Sequence, residues 1–260
     1  ASSLPAPFAK SAADVFPLHF EKRLLSTAPV RKGGRPVKDE GSAVVRDQLV
    51  ATLGQALSVQ MIRRKQSEGF VVERGAVGVG RTMSLPENGV AVGVTAAKLD
   101  LDEWRRLFSS SAPAVNRSSA GTSAEASPTF LPDTVSLKTP EMRLFGRLYH
   151  DVDLNAASSP DQWKIRLNSR QANGDLQWDS GGRGRLTARL KQLVIEPSDE
   201  MAESETGNTV RELPALDVLA DEFQLGARRF GRLELQARNE AGLWKLGKIQ
   251  MSNPYGVLTG

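Results

Sequence analysis

The stretch Met142–Ala156, MRLFGRLYHDVDLNA, decides how this chain is read. Its even positions are Met142, Leu144, Gly146, Leu148, His150, Val152, Leu154 and Ala156; between them lie Arg143, Phe145, Arg147, Tyr149, Asp151, Asp153 and Asn155. Apolar residues at every second position place one apolar and one largely polar face on a β-strand. As a single strand the run would reach about 50 Å at about 3.3 Å per residue, longer than strands usually are.

The same alternation spreads outward. Trp163, Ile165 and Leu167 alternate with Lys164, Arg166 and Asn168; Leu186, Ala188 and Leu190 with Thr187, Arg189 and Lys191; Leu233, Leu235 and Ala237 with Glu234, Gln236 and Arg238. Asn173-Gly174 and Gly181-Gly182 read as hairpin turns, as does Asn239–Gly242 before the return run Leu243–Ser252. Residues 133–260 are therefore expected to form an antiparallel meander. Phe145-Gly146-Arg147-Leu148 recurs as Phe230-Gly231-Arg232-Leu233, each copy followed by a turn and a Trp-Lys pair, which hints at repeated hairpins.

Ser109 to Pro132 holds seven serines and three prolines and shows no apolar period before Phe130. It reads as a linker or long loop, so the chain divides into β segments 1–108 and 133–260 around 109–132. The acidic run Glu196–Asn208 reads as a solvated loop. In the first half, Val45, Leu49, Leu53, Leu57 and Met61 suit a helix, while alternation over the same residues suits a strand. Phe70–Gly80 and Val90–Thr95 read as strands, and Asp102–Phe108 as the best short helix, with Asp102 as N-cap.

Charge and chemistry narrow the function. Thirty-four basic against 30 acidic side chains leave +4, with the charges interspersed and few aromatics, which argues against nucleic acid as a partner. The absence of cysteine excludes thiol catalysis and thiolate metal sites. His19 and His150 form no metal-ligating pattern, Gly75, Gly78 and Gly80 read better as strand positions with close backbone approaches than as a phosphate loop, and Asp100, Asp102 and Glu103 lack the rest of a calcium loop. No catalytic constellation, metal site or cofactor is expected. No stretch reaches the ~20 apolar residues of a membrane-spanning helix, and no leader is visible; the chain reads as an internal piece of something longer. A sheet with one apolar face has to bury it. Pattern alone leaves a sandwich, a membrane barrel and an apolar trough open, with barrel girdles poorly supplied.

Leu213-Pro214-Ala215-Leu216-Asp217, Phe230-Gly231-Arg232-Leu233-Glu234-Leu235, Trp244-Lys245-Leu246 and Ser252-Asn253-Pro254 in the second half, with Glu73-Arg74-Gly75-Ala76-Val77-Gly78-Val79-Gly80 and Leu99-Asp100-Leu101-Asp102-Glu103-Trp104 in the first, make the chain resemble YhdP-type, AsmA-like proteins of the Gram-negative envelope. The resemblance implies an all-β meander curled into a U-shaped groove with few short helices, and strands across 45–65. It implies a periplasmic segment of a protein whose inner-membrane anchor lies outside this sequence. Phospholipid acyl chains would be the partners, moved between inner and outer membranes to keep the outer membrane a barrier. On that basis Leu144, Leu148, Val152, Leu154, Leu186, Leu190, Leu233 and Leu235 are expected to line the groove. A structural or partner-docking β scaffold, in which these residues fill a closed core, is the competing reading; a carbohydrate-acting enzyme ranks last.

Overall fold

In the computed structural model the described residues are 5–8, 15–25, 31–32, 35–36, 45–66, 69–111, 131–182, 184–196, 214–240 and 243–260. They contain seventeen strands and one helix, so the all-β class expected from the alternation is the class the chain adopts. The chain divides into two compact units, one of residues 1–95 with 130–134 and one of 96–129 with 135–260. The Ser-rich stretch at 112–130 and the acidic run from 197 onward lie outside the described residues.

Unit 1 carries β1 (Leu18–Leu25), the two-residue pair β2 (Arg31–Lys32) and β3 (Arg35–Pro36), then β4 (Arg46–Leu53), β5 (Leu57–Gln66), β6 (Gly69–Val79) and β7 (Gly89–Thr95). Its main sheet runs β1-β4-β5-β6-β7. The 45–65 region is thus a hairpin and not a helix. Gly54, at φ 51°, supplies the left-handed residue that the turn needs and that would have cost a helix. β6 and β7 pair in parallel, Gly75 beside Val90 and Val77 beside Val92, joined by a crossover that contains no helix. That crossover lies against glycines. A Cβ on Gly78 would collide with the Arg81 carbonyl, one on Gly80 with the Thr95 carbonyl, and one on Gly93 with the Met83 sulfur. Of the glycines expected at close backbone approaches, Gly78 and Gly80 are there for that reason, whereas a Cβ on Gly75 would meet only the Val90 and Val72 side chains.

Unit 2 carries β8 (Leu99–Asp100), α1 (Leu101–Ser111), β9 (Thr134–Leu144), β10 (Arg147–Ser159), β11 (Gln162–Asn168), β12 (Ala172–Asp179), β13 (Arg185–Ile195), β14 (Ala215–Leu225), β15 (Arg228–Glu240), β16 (Leu243–Asn253) and β17 (Gly256–Thr259). Strands β9 to β17 follow chain order in the sheet, and β8 flanks β9. The pure antiparallel meander needs correction: β8–β9 and β13–β14 are parallel, because the chain crosses over before re-entering the sheet.

Three local readings also change. Met142–Ala156 is two strands, since Phe145 (φ 52°) and Gly146 (φ 71°) turn the chain between β9 and β10. The echoed Phe230-Gly231 lies inside β15, so the two copies are not structurally equivalent. Asn173-Gly174 lies inside β12 opposite a register shift that leaves Lys191 of β13 unpaired, and a Cβ on Gly174 would meet the Arg189 backbone; the turn falls earlier, at Ser169–Gln171.

Helix α1 begins one residue before the expected start, and Asp100 caps it by accepting the Glu103 N–H at 2.9 Å. Asp102, expected as the cap, instead accepts the N–H groups of Phe145 and Gly146, both at 2.8 Å. It ties the helix start to the β9–β10 turn. Asp102→Ala strands both donors, and a buried unsatisfied donor costs about 1–3 kcal/mol. We expect a loss of about 2 kcal/mol, read by denaturant unfolding, with faster hydrogen exchange at Phe145 and Gly146; wild-type exchange there would contradict the assignment.

Candidate functional site

The residue-by-residue register of unit 2 defines one continuous apolar face. Residues opposite each other in neighbouring strands share a face. From β10 to β17 the pairing runs Leu154, Leu167, Gly174, Leu190, Ala220, Leu233, Met251 and Leu258. A second row runs Ala156, Ile165, Leu176, Ala188, Val218, Leu235 and Ile249. A third begins at Ser158 and continues Trp163, Trp178, Leu186, Leu216, Ala237 and Leu246. Trp178 finds room because Gly184, at φ 84°, has no side chain where the indole lies.

The opposite face is charged and paired. Arg166 meets Asp175 at 3.2 Å, Arg189 meets Asp217 at 2.9 Å and Lys248 meets Glu234 at 2.6 Å. The Lys248 hydrogen bond holds the Glu234 carboxyl below its ordinary range. Such exposed pairs contribute little stability but mark the water-facing side.

Mid-face, Ala220 (0%), Leu233 (5%) and Leu190 (7%) are buried, and Ala188 and Phe223 complete a cluster with them. Phe223 and Phe230 stack with ring centres 5.9 Å apart. Around the cluster, Leu176, Val218, Leu235, Ile249 and Met251 are half-buried. Among the described residues of unit 2 there is no second sheet to cover this face, so the sandwich arrangement is not adopted there. At the β16–β17 end a hollow of about 340 Å³ is lined by Phe230, Met251, Tyr255, Val257 and Leu258, with Asn253 and Gly256.

The structure brings together five of the eight expected lining residues. Leu154, Leu190 and Leu233 lie in the first row, Leu235 in the second and Leu186 in the third. Val152 is 1% exposed. Asp151, at φ 54°, interrupts the alternation just before it, and the pairing of β10 with β11 begins at Asp153. Leu148 is 40% exposed and lies in β10 ahead of Asp153, where pairing with β11 begins, and Leu144 closes β9 ahead of the turn.

Unit 1 has its own apolar face. Leu53, Leu57, Val79 and Val94 form one row, and Ala51, Val59, Val77 and Val92 the next. Toward one end of the same strands this face carries an ion cluster that alternation alone did not reveal. Asp47 is fully buried and accepts two hydrogen bonds from Arg63, at 3.0 and 2.8 Å. The Lys22 ammonium sits 3.3 Å from the same carboxylate, and the Phe70 ring lies under both cations, 4.7 Å from Arg63 and 5.4 Å from Lys22. The Arg63 hydrogen bond, aided by Lys22, outweighs burial and holds the Asp47 carboxyl below its ordinary range.

Chemistry of other kinds finds no assembly. Among the described residues no group of three or more His, Asp or Glu side chains could hold a metal ion. No helix among them is long and apolar enough to cross a membrane. His150 is half-buried beside Asp151, and its backbone N–H donates to the Gln171 side-chain oxygen at 3.0 Å. Compared with known proteins, the family model described as YhdP protein matches residues 1–260, whereas no curated protein and no solved structure gives a significant match.

Proposed function

Because the chain belongs to the YhdP family of AsmA-like proteins, we propose that it is a periplasmic segment of an envelope protein that carries phospholipid acyl chains along an apolar β-face between inner and outer membranes. The observation that carries this reading is the unbroken apolar pairing across eight strands of unit 2, with no second sheet over it among the described residues. Exposed acyl chains cost about 0.8 kcal/mol per CH₂ in water. A half-buried run of leucine, isoleucine, methionine and tryptophan removes much of that cost, while the charged opposite face stays in solvent. Conduction calls for similar, weak binding at successive positions. A face made of many equivalent aliphatic rows offers that; a single deep pocket would trap the lipid.

The test places a photocrosslinking side chain at Leu186 or Leu235 on the apolar face, and at Thr187 or Gln236 on the other. Full-length protein is then irradiated in cells. Phospholipid adducts are expected from the first pair and not the second. Equal labelling from both faces, or none from either, would leave the structural scaffold as the better account. Leu190 and Leu233 are poor probes because they are buried mid-face, and a bulky or charged replacement there would disturb packing before it reported on lipid.

A further inference from the structure

We propose that Lys22 and Arg63, organised by Asp47, form a seat for the phosphate of an anionic phospholipid headgroup at the end of the apolar face of unit 1. This rests on the lipid-carrying reading given above and names the headgroup class which that face accepts.

The pairing puts the cluster on the apolar face. Lys22 lies beside Leu49, and Leu49 beside Met61; Asp47 lies beside Arg63. On β1, Lys22 takes a position that alternation would give to an apolar residue, between Phe20 and Leu24. Arg63 already gives the buried carboxylate two hydrogen bonds, and Lys22 stands beside it as a second cation. Two cations against one carboxylate leave one positive charge, 2 − 1 = 1. That charge is accessible: the Lys22 side chain is 46% exposed and Arg63 23%, whereas Asp47 is 0%. Phe70 fixes the cations from one side by cation–π contact. What remains is an oriented ammonium and guanidinium edge facing out, next to Leu49, Met61 and Val59. A phosphodiester supplies the single negative charge that balances the pair and further acceptor oxygens for the N–H groups Asp47 does not take up, and its acyl chains would follow the adjacent apolar rows.

An internal control exists. Glu73 is likewise shared by two cations, Arg46 at 2.9 Å and Arg64 at 3.1 Å. Arg46 and Arg64 are opposite each other one residue out of phase with the Asp47–Arg63 pair, on the other face. Removing Arg46 therefore deletes the same charge away from the apolar surface.

The full chain is incubated with vesicles of equimolar phosphatidylglycerol and phosphatidylethanolamine, re-isolated, and its bound lipid quantified by mass spectrometry. Wild type is expected to retain phosphatidylglycerol in excess. Lys22→Met, which keeps the aliphatic stem and the Asp47–Arg63 pair, is expected to reduce that excess about fivefold, the size of one near-surface basic charge. Arg46→Met should leave it unchanged. Lipid bound by all three at one unaltered ratio would overturn the seat while leaving the transport reading intact; no lipid on any of them would overturn the transport reading as well. Millimolar inorganic phosphate, added as a competitor, is expected to have little effect. If it abolished the preference at unchanged total lipid, the site would be one for free anions and the headgroup assignment would be wrong.

Discussion

Asp47→Ala is expected to destabilise unit 1 by about 3 kcal/mol, near the lower end for breaking a buried ion pair by removing one partner. The substitution leaves Arg63 without its two acceptor oxygens and brings it into unrelieved repulsion with Lys22. Partial exposure of both cations keeps the loss from being larger. All four tryptophans lie in unit 2, so intrinsic fluorescence is a poor reporter; hydrogen exchange of the β4, β5 and β6 amides measures the effect directly. The same carboxylate fixes a pH dependence. Its folded value is depressed below the ordinary 3.8, so its contribution is fully present above about pH 4 and fades as the pH falls through the depressed value. Asp47→Asn should therefore flatten the acid limb of unit 1 stability. An unchanged acid limb would mean that the pair contributes nothing to folding.

Gly80→Ala is expected to cost about 3 kcal/mol by a separate route. Gly80 has φ 63°, where an L side chain costs about 1–2 kcal/mol, and its new Cβ would press on the Thr95 carbonyl, adding about 1–3 kcal/mol of overpacking. The neighbour is backbone of β7 and cannot rotate away, so the parallel β6–β7 ladder has to part locally. Gly181→Ala is the control, since Gly181 has an ordinary φ and nothing within reach of a Cβ. Thermal unfolding combined with exchange at Val77, Val79, Val92 and Val94 should separate the two variants; equal stability would show that the crossover adapts without strain.

Alternation made the strands legible because every second side chain of a one-layer sheet meets a different medium. Leu186, Leu190, Leu233 and Leu235 fell on one face for that reason. Positive-φ residues spoiled the forecast where they occurred. Phe145 turned a run that looked continuous, and Asp151 shifted the phase just ahead of Val152. Neither is glycine, so composition gave no warning. The parallel junctions were hidden because pairing direction depends on the path of a crossover, which leaves no periodic trace. The Asp47–Arg63 pair was within reach. Once the turn is centred on residues 54–56, partner numbers sum to 110, as 53 + 57 and 49 + 61 do, and 47 + 63 follows. A charged residue at each end of an otherwise apolar phase was the signal.

Among the described residues of unit 2, β10 to β17 approach one another chiefly as neighbours along the sheet. Its cohesion is largely summed link by link, as in a zipper, with one shared buried cluster at β13–β15. Within these strands thermal opening should meet its strongest resistance at the β13–β15 knot around Ala220. A body built this way can flex along its length without melting, as the proposed passage of acyl chains would call for.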